Sequence, residues 1–187
     1  MSTSNAAGVE SVRASPADNG RVELIARRPE VDARELLEEA TLETDTGLVG
    51  DNWATKPSLA TGAPDPRAQL TLMNARSAAL VAGEDRERWA LAGDQLYVDL
   101  DLSYRNLPPG TRLRIGDEAV IEVTDEPHRG CGKFSARFGV DAMKLVNSAV
   151  GRELNMRGIN TRVVAGGVVR LGDPVVKTGP EPGEPAA

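Results

Sequence analysis

The stretch Thr111-Arg112-Leu113-Arg114-Ile115-Gly116-Asp117-Glu118-Ala119-Val120-Ile121-Glu122-Val123-Thr124 decides the fold class. Leu113 and Ile115 alternate with Arg112 and Arg114, the period of two that places apolar side chains on one face of a strand. Gly116-Asp117 is a hairpin signal, and Ala119 to Thr124 returns as the partner strand. Upstream, Gln95 to Leu100 alternates Leu96, Val98 and Leu100 against polar neighbours, and Leu107-Pro108-Pro109-Gly110 reads as the turn that follows. Val22 to Ala26 and Gln69 to Met73 read as earlier strands. Downstream, Thr161 to Ala165, Gly167 to Arg170 and Pro174 to Lys177 are short strands, punctuated by Gly166-Gly167 and Gly172-Asp173.

Helical signals are fewer. Asp32 followed by Glu35 predicts a capped helix over Asp32 to Ala40, and Asn74 caps one over Ala75 to Ala82. Lys133 to Arg137 and Asp141 to Asn147 read as helices broken at Gly139. Thr46 through Asp51 is a turn, and Lys56 to Arg67 is a polar, Pro-rich loop. Many short strands with Gly-Asp turns predict a mainly β (α+β) domain, with its sheet closed or sandwiched rather than doubly wound.

A chain of 187 residues is long enough for one domain with a sizeable core. Aromatic residues are only 3% of it, so Leu, Val, Ile, Ala and Met must fill that core. The net charge of −6 repels phosphate backbones, and the scarcity of aromatics removes the usual platform for stacking bases, so no nucleic-acid partner is expected. No stretch approaches the roughly 18 apolar residues of a membrane span. The first twenty residues lack the apolar segment of a secretory signal, and a single cysteine cannot form an intramolecular disulfide. A cytoplasmic protein is expected. Residues 1–20 read as a disordered arm and residues 178–187 as a disordered Pro/Gly/Glu tail, leaving a domain over 21–177.

The sole cysteine and the sole histidine lie three residues apart in Pro127-His128-Arg129-Gly130-Cys131-Gly132-Lys133-Phe134. The thiolate is the reactive and metal-binding form of cysteine, and nearby Arg129, Lys133 and Arg137 favour it. Flanking glycines let the backbone turn and a ligand approach. The alternative is a buried structural cysteine, a common fate of free thiols. His128 is read either as a solvated or capping loop residue, or as the group that acidifies the thiol or donates a proton.

An ordered set of short segments carries a resemblance. Gly47-Leu48-Val49-Gly50-Asp51, Asn74-Ala75-Arg76, Gly93-Asp94, Leu107 through Gly110, Leu113 through Gly116, Glu122-Val123-Thr124, Pro127 through Cys131, Gly151-Arg152 and Gly167 through Asp173 occur in this order. Over roughly residues 22–177 the chain resembles the MOSC domain, named for the C-terminal domain of molybdenum cofactor sulfurases. The resemblance implies a β-barrel with a few short helices and a hallmark cysteine that falls on Cys131. In relatives that carry the molybdenum cofactor (molybdopterin), that cysteine ligates the metal. In sulfurase-type members it is held to carry sulfur.

The resemblance also implies roles for other residues. Arginine grips phosphate bidentately and molybdopterin carries a phosphate, which selects Arg129, Arg152 and Arg157 as its contacts from the basic set Arg76, Arg105, Arg129, Lys133, Arg137, Arg152, Arg157, Arg162 and Arg170. Most of the others read as surface charges. Asp51 is placed near the pocket as a hydrogen-bond acceptor. Asn147, Asn155 and Asn160 read either as turn and capping residues or as groups that recognise a pterin edge, with Asn160 retained as a cofactor contact. Trp53 and Trp89 read as core or rim.

Three functions are then open. The first is an oxidoreductase that uses the cofactor to reduce an N-hydroxylated or related small substrate, with electrons from an electron-transfer partner. The second is a sulfur carrier with a Cys131 persulfide, fed by a cysteine desulfurase whose pyridoxal phosphate belongs to that separate protein. The third is a non-catalytic binding module.

Overall fold

The computed structural model describes residues 3–57 and 62–178. It opens with helix α1 (Thr3–Arg13) and strand β1 (Gly20–Arg27), followed by β2 (Glu35–Leu37), β3 (Glu39–Glu43) and β4 (Gly47–Leu48). After a short 3-10 turn at Asn52–Thr55 come β5 (Leu70–Asn74), α2 (Ala75–Ala82), α3 (Arg86–Ala90) and β6 (Leu96–Asp99). The hairpin β7 (Arg112–Ile115) and β8 (Ala119–Val123) leads to helices α4 (Gly132–Phe138), α5 (Val140–Val146) and α6 (Ala149–Glu153). Strands β9 (Ile159–Ala165), β10 (Gly167–Arg170) and β11 (Pro174–Thr178) complete the described chain.

Seven strands close into a mixed barrel in the order β11-β7-β8-β9-β5-β6-β1, with β1 returning to β11 through Gly20↔Val175 and Arg21↔Pro174. Closure leaves no exposed edge within the ring. Every neighbouring pair is antiparallel except β5 and β6. A parallel pair cannot be joined by a hairpin, and α2 and α3 supply the crossover it requires. Strands β10, β3 and β4 form a small second sheet.

The barrel interior holds Val22, Ile25, Leu72, Leu96, Ile115, Ile121 and Val175 with no aromatic ring, as the composition requires. A second apolar layer lies outside the barrel. There Leu24, Met73 and Tyr97 meet Ala78, Trp89 and Phe134 of the helices and Met156 of the turn after α6. β1 and β6 thus bury both faces, whereas the β7–β8 hairpin alternates buried and partly exposed residues. The hairpin register pairs Arg114 with Val120 and Ile115 with Ala119 across Gly116 and Asp117.

Two expectations are corrected. Asp32 to Ala40 is not a helix. Asp32 has φ 64 rather than the extended backbone of a cap, Glu35–Leu37 pairs with β1, and Glu39–Glu43 pairs with β10. Ala40 and Leu42 are buried while Glu39, Thr41 and Glu43 are exposed, so a strand period governs residues whose Leu and Glu content favours a helix in isolation. The N-terminal arm is not wholly disordered either. Thr3–Arg13 is a helix whose Val9 and Val12 are buried in the outer layer, and Arg13 pairs with Glu153 at 2.9 Å. Two valines three positions apart on one helical face are a faint signal among Ser, Ala and Asn, and the surface that buries them is contributed by α2, far along the chain. Thr178, the first residue of the expected tail, instead ends β11 and pairs with Arg112, and the rest of that tail lies outside the described residues.

Candidate active site around Cys131

Cys131 sits just before α4, at the mouth of a cleft of about 540 Å³. The loop that delivers it is tied down at three points. Asn160 Nδ2 donates to the Glu126 carbonyl at 3.0 Å, and Thr124 Oγ1 donates to the Arg67 carbonyl at 2.6 Å. Asn147, at the end of α5, grips Gly130 on both sides: its Oδ1 accepts from the Gly130 N–H at 3.1 Å and its Nδ2 donates to the Gly130 carbonyl at 3.0 Å. The amide thereby spends one donor and one acceptor on fixing the residue that precedes the thiol.

The Cys131 side chain is exposed. Partial burial pushes its thiol up, but the backbone N–H groups of Phe134 and Lys133 and the charge of Arg157 outweigh that and leave it below the ordinary cysteine value. Those N–H groups act as oriented dipoles, short of a formed capping hydrogen bond. His128 is not among the groups that lower it. We expect the rate of iodoacetamide alkylation to reach its midpoint at lower pH in the native protein than in the urea-unfolded chain. The native thiol ionises first, and access changes the plateau rather than the midpoint. A native midpoint at or above the unfolded one would exclude this account. With one cysteine in the chain, the label reads a single residue.

Six cationic side chains line the cleft: Arg28, Arg34, Lys56, Lys133, Arg137 and Arg157. Glu30 and Asp32 are the carboxylates on its wall. In a chain of net charge −6 this local excess of positive charge favours an anion over a cation in the cleft. Two of the cations are held rigidly by buried acids. Asp51 accepts from Arg28 Nε at 2.9 Å and Nη2 at 2.7 Å, and also from the backbone N–H groups of Arg28 and Trp53. Asp94 accepts from Arg157 Nη1 at 2.6 Å, and Arg157 also donates to the Ala92 carbonyl and lies over the Phe134 ring.

His128 completes this inner wall. Its Nδ1 is 3.4 Å from Asp94 Oδ1. Burial, followed by the positive charge of Arg157, lowers its pKa to about 4 despite Asp94. The ring is therefore neutral near pH 7, and its approach to Asp94 falls short of a formed hydrogen bond. Buried polar atoms without a partner among the described residues include Asp94 Oδ1, His128 Nδ1 and Arg157 Nε, all in this one cluster. Such orphans concentrate where a site rather than a core is being built.

The expected site residues divide. Cys131, His128 and Arg157 line the cleft together. Arg129 and Arg152 line a smaller cavity of about 140 Å³, whose walls include His128, Arg157, Asn147 and Asn155. Asp51 reaches the cleft only through Arg28, and Asn160 acts on the Cys131 loop. Arg76, Arg162 and Arg170 are paired elsewhere with Asp99, Glu122 and Glu39. Trp89 is in the outer core, while Trp53 donates to the Asp65 carbonyl. Arg28, Arg34 and Lys56 were not singled out from the sequence; the Arg27-Arg28-Pro29 cluster just after a strand is the only local signal for any of them.

A scan of known domain families matches residues 58–176 to the MOSC domain. The chain belongs to the MOSC domain family. That family is associated with molybdenum cofactor binding. Among solved structures this MOSC domain is similar to the YuaD protein from Bacillus subtilis, at 19% identity and a TM-score of 0.60, over 84% of this chain and 94% of that one. It is also similar to YiiM from Escherichia coli, at 22% identity and a TM-score of 0.55, over 86% of this chain and 70% of that one. YiiM from Geobacillus stearothermophilus gives 12% identity and a TM-score of 0.56, over 86% of this chain and 75% of that one. These identities carry the fold alone. A search of curated proteins returns no match. No helix among the described residues is long and apolar enough to cross a membrane.

Proposed function

We propose that the cleft holds a molybdenum cofactor with Cys131 as the protein ligand, and that the protein reduces an N-hydroxylated or related small substrate. The observation that carries this reading is an exposed, acidified thiol on the wall of a cleft lined by six cations. The donor set fits the group. One soft thiolate suits a sulfur-bound metal, and a chain with one Cys and one His requires the remaining ligands to arrive with the cofactor. The orphaned Arg157 Nε and the rigid Arg28 guanidinium offer donors to an anionic group, and the volume lies within the roughly 300–1,000 Å³ of small-molecule pockets.

The overall reaction balances as R–NHOH + 2 e⁻ + 2 H⁺ → R–NH₂ + H₂O, with the electrons from a redox partner protein. The cofactor would supply the two-electron chemistry. The chain's own residues do the rest. Asn147 fixes the position of Cys131. Asp94 and Asp51 hold Arg157 and Arg28 toward the bound anion. His128, neutral at working pH, offers a lone pair to a proton in the cleft. The exposure of Cys131 also favours a second reading, in which the thiolate receives and passes on sulfur as a persulfide from a desulfurase.

The test is molybdenum per chain, by elemental mass spectrometry, for protein made in a host that synthesises the cofactor. Near-stoichiometric metal that falls by about tenfold or more in Cys131→Ala supports the first reading. Absence of metal from the wild-type chain, with a Cys131 peptide heavier by one sulfur, supports the second.

A further inference from the structure

The charge in the cleft is not evenly compensated. Arg28 is paired with Asp51, Arg157 with Asp94 and Arg137 with Asp32 at 2.7 Å. Arg34, Lys56 and Lys133 have no carboxylate partner among the described residues. They come from three separate places: the loop after β1, the residue after the 3-10 turn, and the first turn of α4. Arg34 donates only to the Ala90 and Ala33 carbonyls, and neither lysine makes a side-chain hydrogen bond among the described residues. The cleft carboxylate Glu30 forms no ion pair with any of them among the described residues.

Three unpaired like charges held on one concave wall cost free energy that the fold does not demand. Lys56 feels its neighbours: burial and then the charges of Arg28 and Lys133 lower it, against Asp51 and with Arg34 adding to the effect, while burial followed by Arg137 and Arg28 lowers Arg34 against Asp32. The paired cations also differ in depth from the unpaired lysines. The Arg157 side chain is 8% exposed and that of Arg28 16% exposed, whereas Lys56 and Lys133 are at the exposed mouth. The floor can thus hold one anion while the mouth remains charged.

We propose that Arg34, Lys56 and Lys133 form a second anion subsite at the mouth of the cleft, and that the small substrate carries a carboxylate or phosphate which docks there. The substrate half of this proposal rests on the oxidoreductase reading; the anion subsite does not. A concave mouth of this size suits a small anion rather than a flat protein face.

The first experiment titrates inorganic phosphate calorimetrically into protein made without cofactor, against chloride at equal ionic strength. Saturable binding at the mouth is expected, beside any at the Arg28 and Arg157 floor. Lys56→Ala and Lys133→Ala should each weaken it by about tenfold, the worth of a charge-assisted hydrogen bond. Arg170→Ala, a surface pair with Glu39, should leave it unchanged. Both lysines are exposed, and the circular dichroism of each variant is to be compared with that of the wild type to check that it folds. No saturable binding, or binding indifferent to both lysine substitutions, would overturn the subsite.

The second experiment repeats the titration on the molybdenum-loaded chain. Retained phosphate binding supports a subsite separate from the cofactor's own phosphate, and its loss assigns these cations to the cofactor and overturns the proposal. In the loaded chain, para-hydroxylaminobenzoate should show a lower KM than N-phenylhydroxylamine, and Lys133→Ala should abolish that advantage. Equal KM values would overturn the substrate assignment. A chain that takes up no molybdenum removes the oxidoreductase reading, and the cofactor-free titration then decides the anion subsite by itself.

Discussion

Asp94→Ala should destabilise the protein by about 3–5 kcal/mol in urea unfolding at neutral pH, the usual cost of leaving one member of a buried ion pair alone. The Asp94 side chain is fully buried, and its Oδ2 accepts from Arg157 Nη1 at 2.6 Å. Without it, Arg157 keeps the Ala92 carbonyl and the Phe134 ring but has no counter-charge, and its Nε is already without a partner. The double variant Asp94→Ala with Arg157→Met should recover more than half of the loss, because the expense lies in the unpaired charge rather than in the absent bond. If the single variant does not fold, recovery of a cooperative transition in the double variant makes the same point. A single-variant loss below about 1 kcal/mol would mean that water reaches Arg157, and the rigid inner wall described here would be wrong. The outcome bears on function because Arg157 is one of the groups that acidify Cys131.

The parts of this molecule that were legible in the sequence are those encoded locally. The β7–β8 hairpin announces itself through alternation and Gly116-Asp117, and Asn74 caps α2 by accepting from the Ser77 N–H, the residue three positions on. Gly139 separates α4 from α5 because a helix cannot continue through its φ of 88. Cys131 was legible because it is unique and flanked by glycines. The rest depends on pairings between distant segments. Glu39–Glu43 becomes a strand because Gly167–Arg170 lies along one side of it and Gly47–Leu48 along the other. Arg28, Arg34 and Lys56 become part of the Cys131 cleft only when the loops after β1 and the 3-10 turn fold toward α4. Asn147 is a helix-terminal asparagine by sequence, and its grip on Gly130 crosses seventeen positions. The arginines nearest Cys131 in sequence mislead in part. Arg129 follows His128 directly, yet lines the smaller neighbouring cavity, whereas Arg157 returns from after α6 to meet the thiol.

Gly158→Ala should cost about 3 kcal/mol or more, combining backbone strain with a collision. Gly158 has φ +112, a conformation that L side chains rarely adopt, and a Cβ there would lie 2.3 Å from the Leu72 carbonyl oxygen. That carbonyl belongs to β5, whose Leu72 pairs with Ile159 on one side and Leu96 on the other, so it cannot yield without disturbing the barrel. The same Cβ would lie 3.2 Å from both Asp94 Oδ1 and His128 Nδ1, so the disturbance enters the cleft wall. Gly110→Ala is the matched control. Its φ of +88 carries the strain, but nothing lies within 4 Å of the added carbon, and its cost should stay near 1–2 kcal/mol, about that of the conformation alone. The difference between the two variants isolates the collision. Arg157 precedes Gly158 directly, so the displacement should also carry its charge away from Cys131 and move the alkylation midpoint of the thiol toward higher pH in Gly158→Ala but not in Gly110→Ala. Equal costs for the two glycines, with an unmoved midpoint, would show that the barrel end and the inner wall of the cleft are not coupled through this residue.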